Sequence, residues 1–268
     1  MEMVMLEVYF HVGLGKTGTK YLQFDFFPKL RGIEYIHTTK YKKSKKIIKK
    51  RGEGKFLVSR EFDERFEREV RWFAQDFPDA GPIIVLRRQD EWIVSQFKRY
   101  VKNGHRYRFK EFFNLEGTGL FKVEDLYFYR RIELLEETFE RRPLVLLYDE
   151  LREEPYRLLD RIAQYTGTTY ERRSIPLRRR HRSYSEKQLK VIYKLSEHLD
   201  IVPRGTVKKY FFVYPIRYPV LYMARYLPAK VLPKVDIFPS KEELEGIREF
   251  YRDDWERCVK YAKVCTGP

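Results

Sequence analysis

Cysteine and histidine are scarce, at two and five among 268 residues. Cys258 and Cys265 lack metal-ligand spacing and have no His/Cys cluster nearby. That excludes a structural zinc site; free thiols are the expectation, with a bridge across the short loop between them as the alternative. A long uninterrupted apolar run is also missing. The most apolar late stretch, 211–227, is broken by Pro215, Arg217, Pro219 and Arg225. This excludes a membrane span and leaves, as an expectation, peripheral contact of a basic, aromatic element with a membrane. The first ten residues carry Glu2 and Glu7 and no long apolar core. A secretory signal is therefore not expected, and a cytoplasmic location is. No internal repeat is visible.

Positive charge is in excess. The formal net charge is +16, from 55 Lys and Arg against 39 Asp and Glu. Such a balance points to a polyanionic partner, whether nucleic acid, acidic polysaccharide, membrane surface or phosphorylated cofactor, without choosing among them. The densely basic segment 40–51 reads as a solvated helix face or surface loop, with an acceptor-binding patch as the alternative. Hydrophobic residues make up 43% of the chain, and Tyr and Phe are abundant, enough to fill the core of one large α/β domain.

Short apolar runs at 6–12, 54–59, 82–86 and 143–148 read as strands, and 82–86 as a central parallel strand. Helical spacing predicts helices over 19–27, 61–77, 90–102, 123–139 and 154–165. Asp90 is suited to an N-cap, and Gly104 and Gly167 to helix ends. Strands alternating with helices predict an α/β architecture with a parallel sheet and ligands at the C-terminal ends of its strands. After Ile175 no strand pattern recurs. Helices over 185–199 and 241–264 predict a helical extension, 176–268, on an α/β cofactor-binding core, 1–175, within a single domain.

The segment from His11 to Lys20 follows the first strand and leads into a helix start. It reads His-Val-Gly-Leu-Gly-Lys-Thr-Gly-Thr-Lys. Glycines let backbone N–H groups approach an anion, the helix start favours negative charge, and lysine adds a full positive charge. A nucleoside-triphosphate loop reads GxxxxGK[ST]. Here Gly13 and Gly18 keep that separation, but Thr19-Lys20 follows and the lysine best placed for a reacting group is Lys16. The loop is thus a relative of the P-loop with a different ligand.

Three segments together resemble the sulfotransferases that use 3′-phosphoadenosine 5′-phosphosulfate (PAPS). Residues 11–19 are similar to that family's 5′-phosphosulfate loop, with Gly15 where proline is usual and Lys20 where a second threonine is frequent. Residues 85–95 resemble its 3′-phosphate motif, an apolar strand ending in Arg87 with Ser95 eight residues on; Gln89 replaces the family's proline. Residues 145–151 and 158–167 resemble a structural strand, acidic turn and helix. The resemblance covers about residues 4–170, in the correct order.

It implies a P-loop-like three-layer fold, a central parallel sheet flanked by helices, and transfer of a sulfuryl group from PAPS to an acceptor hydroxyl or amine without a metal. Lys16 would neutralise charge on the leaving group. Gly15, Thr17, Gly18, Thr19 and Lys20 would cradle the 5′-phosphate through backbone amides and the Thr19 hydroxyl. Arg87 and Ser95 would take the 3′-phosphate, and Arg182, in the basic run 178–182, would close over the phosphates. Glu61, after the second strand, is the candidate base, with His105 a weaker candidate and His11 a supporting residue. The acceptor implied is a glycan or glycolipid, and nucleic acid is not the expected partner. Trp92, Tyr100 and Phe112 are candidates for an acceptor cleft or for the core. Two other readings stay open: a P-loop kinase, disfavoured because no acidic strand end but Asp149 approaches the metal-binding pattern, and a non-catalytic polyanion-binding protein.

Overall fold

A computed structural model describes residues 5–177, 184–205, 209–228 and 232–264. Five parallel strands form one sheet: β1 (Leu6–Gly13), β2 (Glu34–Ile36), β3 (Gly54–Ser59), β4 (Gly81–Leu86) and β5 (Leu144–Leu147), in the order β2-β3-β1-β4-β5. β1 is central, and every residue from Val8 to Gly13 is buried. All six residues of β4 are buried too. Continuous apolar runs rather than alternation are what a sheet covered on both faces requires.

The helices are α1 (Thr19–Tyr21), continued by a π-helical turn over Leu22–Phe26, α2 (Ser44–Arg51), α3 (Phe66–Ala74), α4 (Gln89–Lys102), α5 (Phe109–Phe112), α6 (Tyr129–Thr138), α7 (Tyr148–Glu153), α8 (Pro155–Tyr165), α9 (Glu186–Leu195), α10 (Tyr214–Met223), α11 (Lys241–Phe250) and α12 (Arg252–Val264). The expected P-loop-like α/β architecture is present. Four of the five strands fall where the apolar runs put them. β2 is only three residues long and half-exposed, so it carries no such run.

Two helices expected to be continuous are divided. The stretch 123–139 is a short 3-10 turn over Val123–Leu126 followed by α6. The stretch 241–264 breaks between Phe250 and Arg252. The helix expected from 61 begins only at Phe66, which leaves 60–65 as a loop.

The chain forms two compact units. The first comprises 1–88, 127–180 and 251–268, and the second 89–126 and 181–250. The first unit holds the whole sheet. Its last helix, α12, is bound in by polar ties. Asp254 accepts from the backbone N–H groups of Phe128 (2.9 Å) and Tyr129 (3.2 Å) at the start of α6. Buried Arg161 of α8 donates to both oxygens of Glu150 (3.0 and 2.7 Å), to the Val145 carbonyl of β5 (3.1 Å) and to the Ala262 carbonyl of α12 (2.8 Å). These bonds offset much of the cost of burying the guanidinium, although its Nε has no hydrogen-bond partner among the described residues. Cys258 of α12 is a buried free thiol whose ionisation is suppressed by desolvation; Cys265 lies outside the described residues.

The second unit is helical. Trp92 and Phe112, candidates for an acceptor cleft, are fully buried in it, Trp92 against Phe121. Half-buried Tyr100 packs on Phe112 with ring centroids 5.0 Å apart. These aromatics therefore belong to the unit's own packing. In the first unit, the basic segment 40–51 ends in α2, where Lys45 and Lys49 pair with Asp76. Lys45, only 12% exposed and lying over the Trp72 ring, is therefore not part of a solvated face. Among the described residues no helix is long and apolar enough to cross a membrane.

Candidate active site

The C-terminal ends of β1, β3 and β4 converge on the loop from Gly13 to Gly18. Leu14 fixes it to the sheet. Its side chain is fully buried, and its N–H donates to the Val85 carbonyl of β4 at 3.1 Å. Both threonine hydroxyls turn inward, Thr17 Oγ1 donating to the Leu14 carbonyl at 2.6 Å and Thr19 Oγ1 to the same oxygen at 2.8 Å. Both residues are buried. The Thr19 hydroxyl expected to reach a phosphate is thus committed to closing the loop, and what the loop offers an anion is its backbone.

Three loop positions show why the local sequence must be as it is. Gly18 has φ +84° and caps α1, and a Cβ there would run into the Leu151 side chain. Only glycine combines that left-handed backbone with that close approach. Lys16 adopts φ +68° without being glycine, an uncommon state that clusters at functional loops. Lys16 is half-buried, and Lys20 on the first turn of α1 is exposed.

At Gly15 the N–H donates to a carboxylate oxygen of Asp63 at 3.2 Å, and a Cβ on Gly15 would meet both Asp63 oxygens at 3.1 Å. The loop therefore already accommodates one anionic oxygen at a backbone N–H. A phosphate or sulfate oxygen taking the same donor would have to displace Asp63.

Arg87 follows β4. Its guanidinium donates to the Lys16 carbonyl at 3.4 Å and lies 4.6 Å from the centre of the Tyr148 ring. Arg87 and Lys16 are therefore brought together at the loop. Glu61 arrives along β3: Arg60 N–H donates to the His11 carbonyl (3.0 Å) and Phe62 N–H to the Val12 carbonyl (3.3 Å). The backbone of Glu61 consequently runs beside Gly13, where a Cβ would meet Glu61 Cα at 3.4 Å.

Beneath the loop lies a buried polar group that ties β1, β3 and the π-helical turn. His11 Nδ1 is 2.7 Å from Ser59 Oγ, and Gln23 Nε2 donates to the same hydroxyl at 3.0 Å. Burial pushes the His11 pKa down to about 3, so the ring is neutral at physiological pH. Its Nε2 is buried with no hydrogen-bond partner among the described residues. His11 thus belongs to a buried polar group at the end of the central strand.

No protein-family model matches this chain, and no curated protein matches it by sequence. Solved structures do. A sulfotransferase from Alicyclobacillus acidocaldarius superposes with a TM-score of 0.52 at 13% identity, over 71% of this chain and 92% of that one. The chain has the sulfotransferase fold. Mouse sulfotransferase SULT7A1, in complex with PAP, gives a TM-score of 0.48 at 12% identity, over 96% of this chain and 89% of that one. The sulfotransferase domain of the curacin biosynthetic pathway gives 0.42 at 11%, over 92% and 98%.

Ser95 stands half-buried on α4, in the second unit. His105 is in that unit too. Arg182 and the basic run around it lie outside the described residues. Asp63 is the site residue that sequence reading missed. It falls in a stretch read as helix, and nothing in its neighbours marks it as the carboxylate that meets Gly15.

Proposed function

We propose that the protein is a PAPS-dependent sulfotransferase. The observation that carries the reading is the Gly13–Thr19 loop, held at the end of the central strand of a sulfotransferase fold with the Arg87 guanidinium on the Lys16 carbonyl. The donor would bring a 5′-phosphosulfate to the loop and a 3′-phosphate to Arg87. PAPS supplies the transferable sulfuryl group when bound. The backbone of residues 15–19 orients it, and the Lys16 ammonium offsets the negative charge that grows on the bridging oxygen as its bond to sulfur breaks. Arg87 suits a phosphate dianion because its planar fork donates two parallel bonds. Ser95 joins it on the strength of the sequence spacing alone.

The acceptor's proton must leave as its oxygen or nitrogen bonds to sulfur, and Glu61 is the proposed base. Asp63 is a second carboxylate against the same loop. A glycan or glycolipid hydroxyl is the proposed acceptor, in keeping with the basic surface. Calorimetric titration tests the reading. The reading predicts that 3′-phosphoadenosine 5′-phosphate binds tighter than ATP, with no effect of Mg²⁺. Tighter binding of ATP with Mg²⁺ would point to a kinase, and equal, salt-sensitive binding of every polyanion to a binding protein without turnover.

A further inference from the structure

In the second unit, a π-helical turn over Lys209–Val213 runs into α10. One face of this element is built into the unit. Val213, Arg217, Leu221 and Ala224 are buried at helical spacing, and Val213 and Leu221 pack with Ile192 and Ile201. Buried Arg217 donates to Asn103 Oδ1 at 3.3 Å and lies 5.0 and 5.3 Å from the Tyr214 and Tyr218 rings. Gln188 of α9 donates to the Leu221 carbonyl at 2.7 Å. The element is therefore firmly seated.

Its outer face is the reverse of what a seated surface helix shows. Such helices place polar side chains outward, as α11 does with Glu242, Glu245 and Arg248 opposite buried Ile247. Here the outward residues are Phe211, Phe212, Tyr222, Met223 and Tyr226, each between 61% and 73% exposed. Apolar side chains at this density, contiguous along one element, mark a docking surface rather than scattered exposure.

Charge decides the occupant. From Ile201 to Val235 the sequence holds lysines and arginines but no aspartate or glutamate. Lys209 precedes the aromatic face, and exposed Arg225 lies between Met223 and Tyr226 within it. Lys209 lies 5.2 Å from the centre of the Tyr210 ring. Cations framing Phe and Tyr residues match an interface whose outer layer is anionic and whose next layer is apolar, and tyrosine rings are suited to the boundary between them.

We propose that residues 209–226 dock this protein in the plane of an anionic bilayer, with Phe211, Phe212, Tyr222, Met223 and Tyr226 inserted below the headgroups and Lys209 and Arg225 at lipid phosphates. This does not depend on the sulfotransferase reading, because it requires neither nucleotide nor turnover. A membrane-facing enzyme would have ready access to a lipid-linked acceptor.

Co-sedimentation of the full chain with sucrose-loaded vesicles tests the proposal. Vesicles of phosphatidylcholine with phosphatidylglycerol bind the protein, vesicles of phosphatidylcholine alone bind it far less, and added NaCl weakens the binding. Replacing both Phe211→Ser and Phe212→Ser lowers partitioning roughly tenfold or more while the melting temperature holds. Leu120→Ser, at an exposed apolar residue elsewhere in the unit, leaves partitioning unchanged. No binding to the anionic vesicles overturns the proposal, and so does unaltered binding of the double Phe variant. So does a dimer in sedimentation velocity that this variant dissociates, which would make the occupant a second copy of the chain.

Discussion

The Gly13–Thr19 loop and the 209–226 element both set cations beside a recognition surface, yet they are built in opposite ways. In the loop the side chains turn inward. Leu14, Thr17 and Thr19 are buried, both hydroxyls close on one carbonyl, and the surface offered is backbone. In the aromatic element it is the apolar side chains that face out, on a helix seated by only one of its faces. The difference is what the two proposed ligands require. A small anion is held by a few N–H groups whose directions must be fixed beforehand, so rigidity is what matters there. A bilayer presents no shape to match, so area and charge suffice. Substitutions should therefore act on geometry in the first case and on partitioning in the second.

Lys16→Ala has the largest expected effect, a loss of sulfuryl transfer of about 10²–10³-fold with little change in melting temperature. An assay with labelled PAPS and a panel of acceptors reads it. Next comes Gly18→Ala, which combines a left-handed backbone with a clash against Leu151 and costs about 1–3 kcal/mol in urea unfolding. Gly32 has the same φ of +84° with nothing within 4 Å of a Cβ. Gly32→Ala is expected to cost only the backbone part, about 1 kcal/mol. Equal losses at the two sites would mean that the tight approach over the loop is not there.

The buried histidine gives a pH signature. The His11 pKa is depressed in the folded state, to about 3 from an ordinary 6.5, so between those values the unfolded chain binds the extra proton. Stability is then fully present above pH 6.5 and falls as pH drops below it. Between pH 6.5 and 5 the loss from this one group is about 2 kcal/mol. Thermal melts of the wild type and His11→Gln across that range should differ in slope, the variant being flatter; parallel slopes would contradict a buried, neutral His11. Smallest of all is Phe211→Ser, at an exposed position, which is expected to change stability by less than about 0.5 kcal/mol. A large loss there would show that the aromatic face is core, not surface.

The parts of the fold that were legible in the sequence are those fixed by burial on both sides. β1, β3, β4 and β5 are short apolar runs that a covered parallel sheet demands, and the glycines mark the turn that follows β1. β2 was not legible because a three-residue strand needs only backbone pairing with β3. The stretch 61–77 misled because Phe62, Phe66, Val70 and Phe73 keep helical spacing, although Phe62 is held by a backbone bond to β1 and the helix starts later. That error hid Asp63, whose approach to Gly15 depends on the loop. The division of 123–139 and the grouping of 89–126 with 181–250 rest on contacts distant in sequence, which no local pattern encodes.

The measurement that bears most directly on the central claim is calorimetric binding of 3′-phosphoadenosine 5′-phosphate and of AMP, ligands that differ only in the 3′-phosphate, to the wild type and to Arg87→Ala. The account predicts a preference for the bisphosphate of about tenfold or more in the wild type, largely lost in the variant, with AMP affinity little changed. If both ligands weaken equally, Arg87 merely braces the loop through the Lys16 carbonyl and the proposed 3′-phosphate site is wrong.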